Sequence, residues 1–229
     1  MYTSTKILAT LFVFFILSFS SLAQFKKERN IFRMGLRHVD MTGIDVGTRN
    51  FAPAIDLGFG ASYNLSDNVK FEPELHYSPR GFSSTTKYTD STNTKSSLYI
   101  HYLDFCPNFS FSFGSKTKKG GVPINFWVGP YLGYGFAGSL NSDKLTINPR
   151  TNKADTTIST SASPFSAGVK RLDYGINAGI GLRFDNFVNF GITYSRGFND
   201  LADDKRYGTT GIYNQSYGFY VSVLFDDIF

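Results

Sequence analysis

Leu172-Asp173-Tyr174-Gly175-Ile176-Asn177-Ala178-Gly179-Ile180-Gly181-Leu182-Arg183 sorts its residues by parity: even positions are apolar, odd positions are polar or glycine. Side chains of an extended chain point to opposite faces with a period of two, so this stretch is a β-strand with one apolar face. Its other face is unusual. Glycine is a poor β former on a solvated strand, whereas in the narrow interior of a small barrel it makes room for larger neighbours.

The same alternation recurs near 31–40, 54–65, 69–80, 98–113, 124–138, 187–198 and 215–225, which with 172–184 predicts eight strands. Ile55, Leu57, Phe59, Ala61 and Tyr63 oppose Asp56, Gly58, Gly60, Ser62 and Asn64. Val69, Phe71, Pro73, Leu75 and Tyr77 oppose Lys70, Glu72, Glu74, His76 and Ser78. In the fourth segment Leu103, Phe105, Pro107, Phe109, Phe111 and Phe113 keep phase, but the residues before Leu103 do not, which predicts a bulge there.

Alternation alone also suits a soluble barrel with a buried apolar face. Two further observations turn the apolar face outward. The apolar rows contain no Lys, Arg, Asp or Glu and tend to end in Tyr or Phe, as lipid-facing rows with interfacial girdles do. The connections also alternate: 66–68 and 185–186 are minimal and 114–123 moderate, while 41–53, 81–97, 139–171 and 199–214 are long and polar. Short turns at a periplasmic rim that holds both termini, with long loops at the other, produce that pattern. The expected fold is all-β, an eight-stranded antiparallel up-and-down transmembrane β-barrel.

The first residues fit an exported chain. Lys6, the apolar run Ile7 to Phe19, and Ser21-Leu22-Ala23 ahead of Gln24 read as a signal peptide over 1–23, leaving 24–229 as the barrel domain. The apolar run is short for a membrane helix, and the mean hydropathy of -0.16 leaves no room for others. Aromatic residues at 17% against 18% charged favour strands over amphipathic helices. The formal charge of +5 becomes +4 without Lys6; the basic residues are scattered, so nucleic acid is excluded as a partner. Cys106 is the sole cysteine, which excludes an internal disulfide.

Tyr77-Ser78-Pro79-Arg80-Gly81, Tyr102-Leu103-Asp104-Phe105, Gly129-Pro130-Tyr131-Leu132-Gly133 and Asp173-Tyr174-Gly175-Ile176-Asn177-Ala178-Gly179 follow one another in an order and spacing that resembles the PorT-like outer-membrane β-barrel family of Bacteroidetes-type bacteria. The likeness runs from about residue 31 to Phe225, departing where Cys106 precedes Pro107 and where Asp226-Asp227-Ile228-Phe229 extends past the last strand. The resemblance implies an eight-stranded barrel in a Gram-negative outer membrane and, for some relatives, a part in the type IX secretion system. Secretion-system proteins are therefore among the partners it implies. Outer-membrane lipid is another expected partner, and Phe229, in phase with Phe225, reads as a signal to the barrel-assembly machinery. The barrel itself is expected to be a monomer.

The inward phase holds Arg33, Arg37, Lys70 and Arg183 against Asp56, Glu72, Glu74, Asp104 and Asp173. Opposed charges in a lumen of this size are expected to form a structural ion-pair plug. The alternative is a narrow channel for ions or small solutes. His76, Ser78 and Glu74 contain the residue types of a lipid A-modifying hydrolase, but they share the inward face, away from acyl chains, so no enzyme is expected. His38, His76 and His101 lie in no metal motif, and Gly58-Phe59-Gly60 and Gly133-Tyr134-Gly135 precede no helix; no metal or cofactor is expected. Trp127 and Cys106 read as lumen packing.

Overall fold

Alternation of polarity becomes alternation of burial in the computed structural model, which describes residues 27–43, 47–89, 92–114, 123–148, 150–151, 153–184, 187–202 and 211–226. Ten strands follow in chain order: β1 (Lys27–Thr42), β2 (Thr48–Arg49), β3 (Pro53–Asn64), β4 (Val69–Thr89), β5 (Thr92–Phe113), β6 (Ile124–Asn148), β7 (Lys153–Ala162), β8 (Leu172–Phe184), β9 (Val188–Gly197) and β10 (Tyr213–Phe225). Pairing runs β4-β3-β1-β10-β9-β8-β6-β5 and returns from β5 to β4, so eight antiparallel strands close a ring. Closure joins the first strand to the last, from Asn30 opposite Phe225 to Thr42 opposite Tyr213. β2 and β7 lie off the ring, on β4 and β6.

The apolar rows face outward. Leu36, Ile180 and Phe219 are 55%, 46% and 70% exposed, whereas Arg33, Glu74 and Asp173 on the other phase are at or near zero. On β6 the outward apolar row from Ile124 to Phe136 covers about 30 Å of height at the usual strand rise and barrel tilt, enough to cross a bilayer's hydrocarbon. The glycine-rich inner face is the imprint of bulky neighbours. Gly58 faces His76 and Gly179 faces Trp127 across their ladders, and a Cβ at either would stand 2.6 or 2.5 Å from the opposing ring.

Three expectations need correction. The segments 81–97 and 139–171 are not simply loops: β4 and β5 stay paired from Val69–Phe111 to Thr89–Thr92, and β6 continues to Asn148 and returns as β7. The reason they were not legible is a change of polarity. At this end the interior is apolar, with Met41, Phe82, Leu98, Ile100, Tyr102, Leu201, Ala202 and Ile212 in one buried cluster, while the outer side bears Thr, Ser and Lys.

The bulge is also carried by a different strand. His101 pairs with Ala137 and Tyr102 with Gly135, so the extra residue is Phe136 of β6. β5 holds its backbone phase through Leu98, Ile100 and Tyr102; what inverts before Leu103 is the polarity of its faces. The expected signal peptide with its cut before Gln24, the turn at 185–186, the middle of 114–123, and Phe229 lie outside the described residues.

Candidate functional site: the charged lumen

Each inward charge sits on a ring strand at a position set by parity, and the closed wall brings distant strands within bonding reach. The structure places Arg33, Arg37, Asp56, Lys70, Glu72, Glu74, Asp104, Asp173 and Arg183 all inside, none more than 7% exposed. It also places Arg80 there, at 3%. With Arg80, the buried charges among the described residues are five basic and five acidic, and His76 joins them.

The groups form a column of linked pairs. Nearest the termini, Lys70 donates to Glu28, a partner that parity did not mark because Glu28 lies at the rim before the regular alternation begins. Glu72 lies between Arg183 at 3.8 Å and Arg33 at 3.9 Å, and receives Ser62 Oγ at 3.5 Å. Arg33 then grips Glu74 with two bonds, Nε to Oε2 at 3.0 Å and Nη2 to Oε1 at 2.9 Å. That planar fork is the strongest geometry open to a guanidinium and a carboxylate. The guanidinium also stacks 4.2 Å from the Trp127 ring centroid and 5.1 Å from Tyr220.

His76 links this level to the next. Its Nε2 lies 3.1 Å from Glu74 and its Nδ1 3.1 Å from Asp56, which receives Arg37 Nη2 at 3.0 Å. Both ring nitrogens face carboxylates, so neither is left to take a proton from Ser78. The arrangement lacks the nucleophile-to-base contact of a hydrolytic triad.

Arg80 anchors the far level. It donates to Asp104 and, at 3.1 Å, to Asp173, which also receives Tyr131 Oη at 3.0 Å and Asn214 Nδ2 at 2.8 Å. The rings of Tyr102 and Tyr131 cover its guanidinium at 4.7 and 4.3 Å. Arg80 continues the even phase of Lys70 to Ser78 and ends the expected strand 69–80, so parity alone marks it as inward.

The other residues considered for chemistry lie apart. His38 stacks on Phe51 with centroids 5.2 Å apart, and His101 lies 2.7 Å from Tyr77 Oη; both belong to the outer aromatic girdle. Among the described residues no group of three or more His, Cys, Asp or Glu is arranged to hold a metal ion. Cys106 is buried and accepts from Asn177 Nδ2 at 3.4 Å.

A closed ring of eight strands with an apolar exterior and a paired polar interior has a counterpart in sequence. Residues 31–203 match the outer membrane protein beta-barrel domain family. The chain belongs to this family. Family membership places it in an outer membrane, where its apolar rows meet lipid. No curated protein matches the sequence. Similar solved structures include Neisserial surface protein A, at 11% identity over 86% of this chain and 96% of that one with a TM-score of 0.39. Ail, the attachment invasion locus protein of Yersinia pestis, gives 8%, 87%, 100% and 0.40 in the same order. OprG of Pseudomonas aeruginosa gives 13%, 89%, 98% and 0.31. At these values the likeness says nothing about ligand or activity.

Proposed function

We propose that this family member is a closed, non-conducting and non-enzymatic barrel that serves as a structural or interaction component of the envelope. One observation carries the reading: the lumen is filled twice, by the column of ion pairs at belt height and by the apolar cluster around Ile100 and Leu201 beyond it. Open aqueous pores accompany barrels of about sixteen strands. A barrel so filled offers its rims and outer wall to partners, and the sheet formed by the far parts of β4, β5, β6 and β7 is one such platform. The PorT-like motifs support type IX secretion as the finer form of this role. In the same reading 1–23 is a signal peptide, both termini are periplasmic, the assembly machinery inserts the chain and the barrel is monomeric.

Planar-bilayer recording tests the closure. The wild type is expected to show no sustained channels, and the double variant Glu72→Gln/Glu74→Gln is expected to flicker open or to fold less completely, because Arg33 and Arg183 lose their counter-charges. Stable wild-type channels of uniform size would overturn closure in favour of a narrow channel for ions or small solutes. Mass spectrometry of the outer-membrane fraction is expected to find a chain starting within a few residues of Gln24. An intact Met1 form there would refute the signal peptide.

A further inference from the structure

Pro73, Pro107 and Pro130 are scattered in sequence, yet register draws them into one row across the wall. Pro73 faces Pro107 in the β4–β5 ladder, and the β5–β6 register sets Pro107 opposite Pro130. That second ladder reaches Phe105–Leu132, stops, and resumes unshifted at Phe109–Val128. Between those rungs Cys106, Pro107 and Asn108 pass Tyr131, Pro130 and Gly129 unpaired.

The cause is chemical. Antiparallel rungs alternate between residues that exchange two N–H···O bonds and residues that exchange none. The ladder from β4 runs intact through Pro107, so the backbone polar groups of Pro107 turn the other way, toward β6. There Pro107 and Pro130 meet at an exchanging rung, and proline has no N–H. Both bonds are missing, and the two carbonyl oxygens lose their cross-strand donors. Unmatched polar groups at hydrocarbon depth are costly, and a barrel wall normally has none.

The lumen side of the same spot repeats the imbalance. Asn108, 1% exposed, donates Nδ2 to Glu74 at 2.9 Å, which fixes its amide and leaves the buried Oδ1 without a partner. That oxygen lies against Gly129, where an added Cβ would stand 2.5 Å from it. Asn177, opposite Gly129 in the β6–β8 ladder, also has an unpartnered buried Oδ1. The seam therefore gathers hydrogen-bond acceptors without donors, with Pro130 exposed on its lipid side.

We propose that the Pro107–Pro130 seam is a lateral binding site for a membrane amphiphile with a neutral, hydroxyl-bearing head. The head donates to the carbonyl oxygens of Pro107 and Pro130 between the strands, while the chain lies along the outer wall beside Phe105, Val128 and Leu132. The acceptors here are neutral oxygens, which would not balance the buried charge of an ammonium head. The site is independent of whether the lumen conducts.

Photolabelling of the full-length barrel in phosphatidylcholine vesicles, with a diazirine-bearing hexadecanol as probe, tests the site. Label is expected on peptides covering 103–109 and 128–132, about tenfold above that from the probe's methyl ether, the gap that a buried hydrogen bond supports. Pro107→Ala/Pro130→Ala restores both N–H groups, completes the ladder and is expected to reduce labelling to the ether's level in a barrel that folds as well as wild type.

Pro107→Ala and Pro130→Ala taken singly offer a second route. Each restores one N–H at the rung and matches one carbonyl, leaving the other without a donor. Either single variant is expected to label between the wild type and the ether's level. Equal labelling by alcohol and ether, or by the wild type and both single variants, overturns the site. If the double alanine variant does not fold, the single variants decide alone.

Discussion

Arg33→Met is expected to lower the unfolding free energy of the barrel by about 3–5 kcal/mol, the range for removing one member of a buried ion pair and leaving the other charged. The effect is large because Arg33 is shared. It holds Glu74 through two bonds, lies 3.9 Å from Glu72 and covers Trp127 and Tyr220. After the change Glu72 keeps the 3.8 Å approach of Arg183 and the Ser62 hydroxyl, and Glu74 keeps Asn108 and His76. Arg33→Met/Glu74→Gln is expected to recover part of the loss, since the amide removes the stranded charge while filling the same space. Urea unfolding in vesicles of the wild type, both single variants and the double variant measures the coupling. If the single losses simply add, Arg33 acts through packing alone and the ion-pair account of the lumen fails.

Ile180→Arg is expected to cost about 2–4 kcal/mol, because a charged side chain on the lipid face near the bilayer midplane must leave water without a partner. Ile180 points outward near the middle of β8, level with Phe126 on one side and Ile192 on the other. Asn177→Ser, three residues away on the inward face, is the control. Its amide makes one long contact to Cys106 and no charged one, so folding yield and heat-modifiable migration are expected to stay near wild type. Cold and boiled electrophoresis after refolding into vesicles reads both. Good folding of Ile180→Arg together with failure of Asn177→Ser would mean that the polar face meets the bilayer.

The belt was legible in the sequence because lipid imposes one polarity on every outward residue, and parity carries that constraint through each strand. Asp173 to Arg183 needed nothing else. The wall beyond the belt was not legible for the same reason in reverse. Past Tyr102 no solvent imposes a single outer polarity, so Thr94, Ser96 and Thr146 read as loop while forming paired strand. Arg80 fell on that boundary and was missed. The ion pairs were legible as a set of charges, but not as partners: parity tells which side chain points inward, and only register tells that Asp173 of β8 reaches Arg80 of β4. The proline row is invisible without register too, since Pro107 and Pro130 are ordinary residues until they meet at one rung.

The closure of β1 on β10 carries a consequence for biogenesis. The ladder from Asn30–Phe225 to Thr42–Tyr213 binds the first strand of the ring to its last, and the return of β5 to β4 leaves no other edge in the ring. Local hairpins such as β4–β5 can zip early at little entropic cost, whereas this pairing spans nearly the whole barrel domain and comes late. Until it forms, two rows of bare backbone groups would face hydrocarbon, which the bilayer does not tolerate. A nascent chain missing its final strand therefore gains nothing from the strands already made. A chain cut before Tyr213 is expected not to insert, with β10 as the latch.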